Sequence, residues 1–466
     1  MNAPLLWIGL PLTTALLLIP LHRRRNLTGW LAASVCLLLA LLAATVQIGQ
    51  PLRIGRDLWE LKQSFTLLGR AFVLSRSEQG FLTLIYSIGA LWQISALTIL
   101  KTPQRLFAPI GLAILALLVA ARSVQPFLFA ALLIEIAVLL SLPLLTPPGQ
   151  RVQQGVLRYL IFQTLALPFI LISGWVFGLI EANPAREELY QQAALLLGMG
   201  FSLWLAIFPF YTWVPLLAGD SHPFLAGYLF SILPTIVLFY ALDFLNAYAW
   251  LRSDPLLIQA LRITGAIMVA SGGILAAFQQ DLTRLFGYAV ILETGFALLA
   301  LSLRSQIGLG IFAAAFLPRL LALWLGAFAL SALRLQNLPL HLNSLKGLLH
   351  RTPLVAIALL SAWFSLGGLP LLASFPLRQV LFQALAQQSL PTALWAVLGS
   401  LGLLFTGLRA LQLMAQQVNA AEPLPPSWPQ GLFLTIGTIA LYWIGIFPNS
   451  ILTGLISLVQ SFRNLP

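Results

Sequence analysis

The stretch that decides the fold runs from Thr352 to Gln388, TPLVAIALLSAWFSLGGLPLLASFPLRQVLFQALAQQ. It is apolar and long enough to cross a bilayer, yet Gly367, Gly368 and Pro370 interrupt it near the middle. Arg378 comes after the interruption. Gly and Pro in a spanning helix release backbone groups that hydrocarbon cannot satisfy, so such breaks persist only inside a bundle or beside water. An ionisable group at the same depth is expensive and marks a functional site by default. A broken helix beside a buried charge is also how many transporters build an ion path. The plainer alternative is a proline kink with Arg378 snorkelling to one interface.

Working outward, the composition supports the membrane reading throughout. The chain has 466 residues, of which 59% are hydrophobic and 8% charged, with a mean hydropathy of +0.93. Soluble domains carry about 25% charged residues. Apolar runs of about 20 residues recur from end to end, the signature of a polytopic helical membrane protein. The net charge of +12 does not point to nucleic acid, because the basic residues sit in short turns between apolar runs and form no soluble face. Anionic lipid and topology account for them. The single cysteine, Cys36, lies within a span, and the four histidines are scattered, so neither a disulfide framework nor a metal or haem site is expected.

Fourteen spans are expected: 4–21, 28–48, 79–100, 106–121, 124–145, 156–180, 190–209, 224–248, 256–278, 285–303, 307–332, the opening stretch, 391–413 and 431–460. The Pro147-Pro148-Gly149 turn precedes the sixth. The polar Gln50–Glu78 stretch reads as an extracytoplasmic loop with a short surface helix around Trp59 to Leu68. Between spans seven and eight, PFYTWVPLLAGDSHP (Pro209 to Pro223) stops both neighbouring helices through Pro209, Pro215 and Gly219. Span eight is expected to break again at Pro234. Spans seven to eight and eleven to twelve each place a Gly/Pro-interrupted segment, span eight or span twelve, after a plain one, a pairing that suggests an inverted repeat. The His22-Arg23-Arg24-Arg25 cluster after span one places both termini outside, supported by Lys101, Arg105, Arg151, Arg158, Arg334, Lys346 and Arg351.

Five charges then fall at membrane depth: Glu135, Glu293, Arg319, Arg378 and, nearer an end, Asp243. A carboxyl in apolar surroundings can bind and release a proton near neutral pH. Each carboxyl could instead pair with an arginine and merely lock two helices together. Guanidinium cannot give up its proton in a protein, so Arg319 and Arg378 can set a field but cannot relay protons.

Four segments resemble one family, the antiporter-like membrane subunits of respiratory complex I, its cyanobacterial and chloroplast relatives, membrane-bound hydrogenases and Mrp-type cation/proton antiporters. FPFYTWVP (Phe208 to Pro215) is similar to the family's PFHxWLPD turn. RLFGYAVILETGFALLAL (Arg284 to Leu301) is similar to RLLAYSSIAHxGYLLLGL. TPLVAIALLSAWFSLGGLPLLASFPLRQVL is similar to MPLxAxxFxxxxLSLxGxPPxxGFxxK, and FLFAALLIEIAVLLSLPLL (Phe127 to Leu145) to the segment bearing a buried Glu.

The resemblance implies an all-α bundle of about fourteen helices with an antiporter-like inverted repeat, interrupted near 209–234 and 366–378. It implies one transmembrane domain over 1–466, with peripheral helices to about 104, a core over 105–390 and C-terminal helices over 391–466. Glu135 falls at the family's span-five Glu, Glu293 at the central His of span ten or the neutral residue some members have there, Arg319 near a span-eleven Lys and Arg378 at the terminal Lys of span twelve. Trp204 and Pro234 stand where the family keeps lysines, and Tyr211 and Leu216 replace the His and Asp of the PFH and LPD motifs. With Trp204 in place the family's switchable Glu–Lys pair is gone.

The resemblance also implies a multi-pass subunit of a bacterial inner or thylakoid membrane, working among other membrane subunits and lipid, with quinone-reducing partners. Such a subunit has no catalytic site, cofactor or metal of its own. It takes part in proton or cation translocation, within an NADH- or ferredoxin:quinone oxidoreductase-type translocase or an Mrp-like assembly. The alternatives are a non-conducting structural subunit of such a complex and a path adapted to another small ion. An independent redox enzyme is disfavoured by the lack of a Gly-rich nucleotide loop or haem-ligand pair.

Overall fold

The computed structural model describes residues 2–54, 57–100, 106–146, 149, 151–417, 425–459, 462, 464 and 465. Lys101, Arg105, Pro147, Pro148 and the expected boundary near residue 104 lie outside them. The helices are, in order, α1 (Leu10–Leu18), α2 (Arg25–Thr45), α3 (Gln79–Ile99), α4 (Phe107–Ser123), α5 (Ala130–Leu145), α6 (Gln154–Ala182) and α7 (Glu187–Trp204). Then come α8 (Trp213–Asp220), α9 (Pro223–Ala247), α10 (Ala249–Ser253), α11 (Pro255–Phe278), α12 (Leu282–Ser302) and α13 (Gln306–Leu335). The chain ends with α14 (Leu348–Arg351), α15 (Pro353–Gly367), α16 (Phe375–Gln388), α17 (Leu390–Met414), α18 (Trp428–Ile446) and α19 (Asn449–Ile456).

Among the described residues, ten helices are long and apolar enough to cross a bilayer. The shorter apolar stretches Leu5–Leu18, Phe107–Ser123 and Pro353–Gly367, together with α7, bring the bundle into register with the fourteen expected spans. Helices α9 and α13 form its centre; nearly every side chain of α9 is buried, and α13 packs against α9, α12, α15 and α18. The outside is a different surface. Leu17, Trp30, Ile161, Trp175, Leu195, Phe278, Trp395, Phe405 and Trp428 are all more than half exposed. A shell of large apolar side chains on a folded bundle is stable facing acyl chains and not water.

Where helices approach most closely, glycine makes it possible. A Cβ on Gly273 of α11 would sit 1.8 Å from the carbonyl oxygen of Gly399 in α17. Small residues let backbones of membrane helices meet in this way.

Three local expectations are corrected. The region around Trp59 to Leu68 is extended. Strands β1 (Pro51–Ile54) and β2 (Asp57–Glu60) pair antiparallel, as do β3 (Ser64–Leu67) and β4 (Arg70–Val73), and β4 also pairs with β5 (Val124–Gln125). Leu68 and Gly69 both have positive φ, 50° and 73°, as a two-residue type I′ hairpin turn demands. Phe65 pairs with Phe72 across the hairpin, so aromatic alternation outweighs the weak helical pattern. Pro234, secondly, does not break α9, which runs unbroken from Pro223 to Ala247; the ring is half-buried in a helix most of whose side chains are buried by neighbours, which is where an internal proline is tolerated. Span fourteen, thirdly, stops at Ile446 and resumes as α19 after Pro448, a residue that cannot continue a helix.

Candidate functional site: two broken helices and their buried charges

The two interruptions fall between α7 and α8 and between α15 and α16. Each comes after a long plain helix, α6 or α13. Both first halves end in the same way. Ala206 and Gly368 take left-handed backbone conformations, with φ of 53° and 79°. The N–H of the next residue then reaches back five positions, Ile207 to Ser202 O at 2.8 Å and Leu369 to Phe364 O at 2.9 Å. That is a Schellman-type closure, with a left-handed residue just past the helix. LAIFP (Leu205 to Pro209) and GGLP (Gly367 to Pro370) are therefore equivalent stops. Pro209 and Pro370 lie just beyond the closures, whereas Pro215 occupies the first turn of α8, where a missing N–H is harmless. The interrupted pair is thus span seven and span twelve, and not spans eight and twelve as the sequence suggested.

A helix end leaves carbonyls without intrahelical partners. At corresponding positions, two residues before the left-handed one, side chains supply them. Gln163 Nε2 donates to Trp204 O at 3.2 Å, and Arg378 Nη2 donates to Leu366 O.

At the second break Arg378 also donates to Glu293 Oε1, lies 3.4 Å from Ser400 Oγ, and places its guanidinium 3.8 Å from the centroid of the Phe296 ring. Residues of α12, α16 and α17 thus meet on the backbone of α15. Arg319, on α13 directly after Pro318, is within electrostatic reach of the same carboxylate, but none of its three guanidinium nitrogens has a hydrogen-bond partner among the described residues. Glu293, Arg319 and Arg378 are 6%, 3% and 5% exposed. The arrangement brings together three of the five charges singled out from sequence.

Gly368 makes room for it. A Cβ there would lie 2.4 Å from Arg378 Cδ, and the left-handed backbone costs an L-residue about 1–2 kcal/mol. Gly368→Ala is therefore expected to lower stability by about 1–3 kcal/mol and to be non-additive with Arg378→Gln. Thermal unfolding of the two single variants and the double variant measures the coupling.

Glu135 is separate from this cluster. It is buried on α5 and accepts a hydrogen bond from Thr164 Oγ1 of α6 at 2.8 Å, while its second oxygen has no partner among the described residues. Trp204 is also tied to α6, through Nε1 to Gln163 O at 3.1 Å. Its ring packs against Phe201 and Tyr240. Sequence reasoning passed over Gln163 and Thr164, although two adjacent polar residues inside LIFQTLALPF are a signal that was there to read. Ser400 was missed for a different reason, since a serine in a spanning helix usually bonds its own backbone.

Between the two clusters the contacts are aromatic. Tyr159 of α6 meets Trp213 of α8 at 5.4 Å between ring centroids, Trp213 meets Phe230 of α9 at 6.3 Å, and Phe230 meets Phe286 of α12 at 6.4 Å. Asp243, the fifth deep charge, is neutralised. Arg122 Nη1 donates to its two oxygens at 2.8 and 2.9 Å, and Glu78 lies 3.8 Å from Arg122 Nη2. That triad ties α3, α4 and α9 together. Outside the spans, burial and then the charge of Arg334 push His222 down to about 3, consistent with a neutral ring that accepts the Phe224 N–H at the start of α9.

Comparison with known proteins gives one answer from three directions. Residues 176–406 match the family described as NADH:quinone oxidoreductase/Mrp antiporter, TM. NADH-quinone oxidoreductase subunit 14 of Thermus thermophilus is 29% identical over 396 residues, covering 80% of this chain and 84% of that one. A chain of the Mrp complex from Dietzia sp. superposes with a TM-score of 0.82 at 16% identity, over 99% of this chain and 97% of its own length. A chain of respiratory complex I from Thermus thermophilus with bound NADH gives 0.76 at 20% identity, over 98% of both. The chain is thus an integral membrane protein belonging to the antiporter-like membrane subunit family shared by NADH:quinone oxidoreductases and Mrp antiporters.

Proposed function

We propose that the chain is a membrane subunit of a complex I-like or Mrp-like assembly and takes part in proton, or other cation, translocation, with Glu293 as the exchanging group. The observation that carries this reading is the buried Glu293–Arg378 pair on the break between α15 and α16, with Arg319 facing the same carboxylate. Neither guanidinium can release a proton, so a proton bound here resides on Glu293. Protonation removes the charge that holds Arg378, and the liberated guanidinium is already anchored on Leu366 O at the interrupted end of α15. Glu135, with one free oxygen and a hydroxyl partner, is the second titrating group of this reading.

A specific observation favours a second reading, a structural subunit without conduction. The ring contacts from Tyr159 to Phe286 bridge the elements between the two carboxylates, and aromatic side chains offer water little to hold. The family lysines that would cross this region are Trp204 and Pro234 here.

Both readings require partners. Full-length tagged chain isolated in mild detergent from its native membrane is expected to bring down other integral membrane subunits in stoichiometric amounts, identified by mass spectrometry. Recovery as a lone monomer with no stoichiometric companion would contradict assembly.

A further inference from the structure

The charge balance at the second break is incomplete. Two guanidiniums, Arg319 and Arg378, share a buried site with one carboxylate, Glu293. Arg378 is held by the carboxylate, the Leu366 carbonyl, Ser400 Oγ and the Phe296 ring. Arg319 has no hydrogen-bond partner among the described residues, on any of its nitrogens, while being only 3% exposed. A buried cation without a partner is costly, and arginine cannot escape the cost by losing its proton. Neutral partners would satisfy its donors but not its charge.

Arg319 borders a cavity of about 40 Å³ that Glu293, Arg378 and Ser374 also line. Ser374 is the residue that precedes the fourteen-residue helix α16, so the positive end of that helix dipole faces the same space. Three positive features thus converge on one cavity against a single carboxylate already engaged by Arg378. The remaining wall is apolar, from Phe296, Phe312 and Phe316. The volume is more than the ~10–15 Å³ that one water needs. It accommodates a monatomic ion.

We propose that Arg319, with Arg378 and the N-terminus of α16, forms a binding site for one small monovalent anion of halide size. The anion supplies the negative charge that Glu293 cannot give to both arginines at once. This goes beyond the translocation reading and stands whether or not protons cross the subunit, because it concerns occupancy and not flux. The apolar wall offers little replacement for a hydration shell, so weakly hydrated chloride and bromide should bind and strongly hydrated sulfate should not.

The test uses the full chain in lipid nanodiscs, in gluconate buffer at fixed ionic strength, with radiolabelled chloride as the probe in equilibrium dialysis. Wild type is expected to bind about one chloride per chain, saturably, displaced by bromide and not by sulfate. Arg319→Gln removes the guanidinium that the anion neutralises, and its affinity is expected to fall at least tenfold. A second variant guards against a folding defect in the first. Ala315→Leu leaves every charge in place but puts a larger side chain on a residue lining the cavity; it too is expected to lose saturable binding. The unfolding midpoint should rise with chloride in wild type and stay flat in both variants. Absence of saturable binding in wild type, or binding of equal affinity in either folded variant, overturns the proposal.

Discussion

Trp204→Lys, the change that puts back the lysine the resemblance implies for this position, is expected to express poorly and to unfold at a lower temperature than wild type. The resemblance implies a lysine here that faces the span-five glutamate. In this chain Glu135 and Trp204 are both held by α6, but through consecutive residues, Thr164 and Gln163. Trp204 Nε1 is taken up by the Gln163 backbone carbonyl and Glu135 accepts only from Thr164 Oγ1 among the described residues, so the two side chains make no hydrogen bond to each other. A lysine at 204 would therefore be a cation without its carboxylate. An unpaired lysine in a dry span costs about 2.5–3.5 kcal/mol on insertion scales. Loss of the indole adds to this, since Trp204 is 2% exposed and packs on Phe201 and Tyr240, and emptying a core tryptophan site costs about 3–5 kcal/mol in the extreme of Trp→Ala. Trp204→Phe keeps most of the packing and loses one hydrogen bond, for about 1 kcal/mol. Membrane yield and thermal unfolding of the two variants side by side separate burial of charge from loss of ring. Wild-type yield for Trp204→Lys would mean that Glu135 reaches it after all, and that the switchable pair can be rebuilt.

This position also shows what the sequence could and could not convey. Apolar runs gave the crossings, because hydrocarbon permits few alternatives to a helix. The break at Gly367–Pro370 was legible for the same reason, since its residues fit only a left-handed closure and then a stop. The matching break at Ala206 was harder to place, because alanine carries no such mark, and Pro234 drew the interruption one helix too far. Prolines inside α5, α6, α9 and α13 leave their helices continuous whether the ring is buried, as at Pro318, half-buried, as at Pro234, or exposed, as at Pro143 and Pro168, so a proline alone does not place an interruption.

Among the charges, depth was legible and partnership was not. Glu293, Arg319 and Arg378 lie on three different helices, and their meeting depends on packing that periodicity does not encode. Arg122 reads as a turn residue in Ala121-Arg122-Ser123, and only the contact between α4 and α9 turns it into the counter-ion of Asp243. The hairpins around Leu68-Gly69 were missed because four-residue strands with one aromatic pair leave a faint signal beside long apolar helices.

The second large effect is expected at Glu293. Glutamine keeps the shape and can still accept from Arg378, but it cannot titrate and leaves two guanidiniums uncompensated. Removing one partner of a buried pair costs about 3–5 kcal/mol, so stability is measured alongside activity. The double variant Glu293→Gln/Arg378→Gln removes both charges of the pair and keeps a hydrogen-bonding side chain at each position, which limits that penalty. The measurement that bears most directly on the central claim is proton flux into liposomes containing the purified assembly, normalised to folded chain, for wild type, Glu293→Gln and the double variant. If Glu293 carries the exchanging proton, wild type conducts above protein-free liposomes, and both variants fall at least tenfold, to that background. Flux in either variant equal to wild type, or wild type that never rises above background, would contradict the claim.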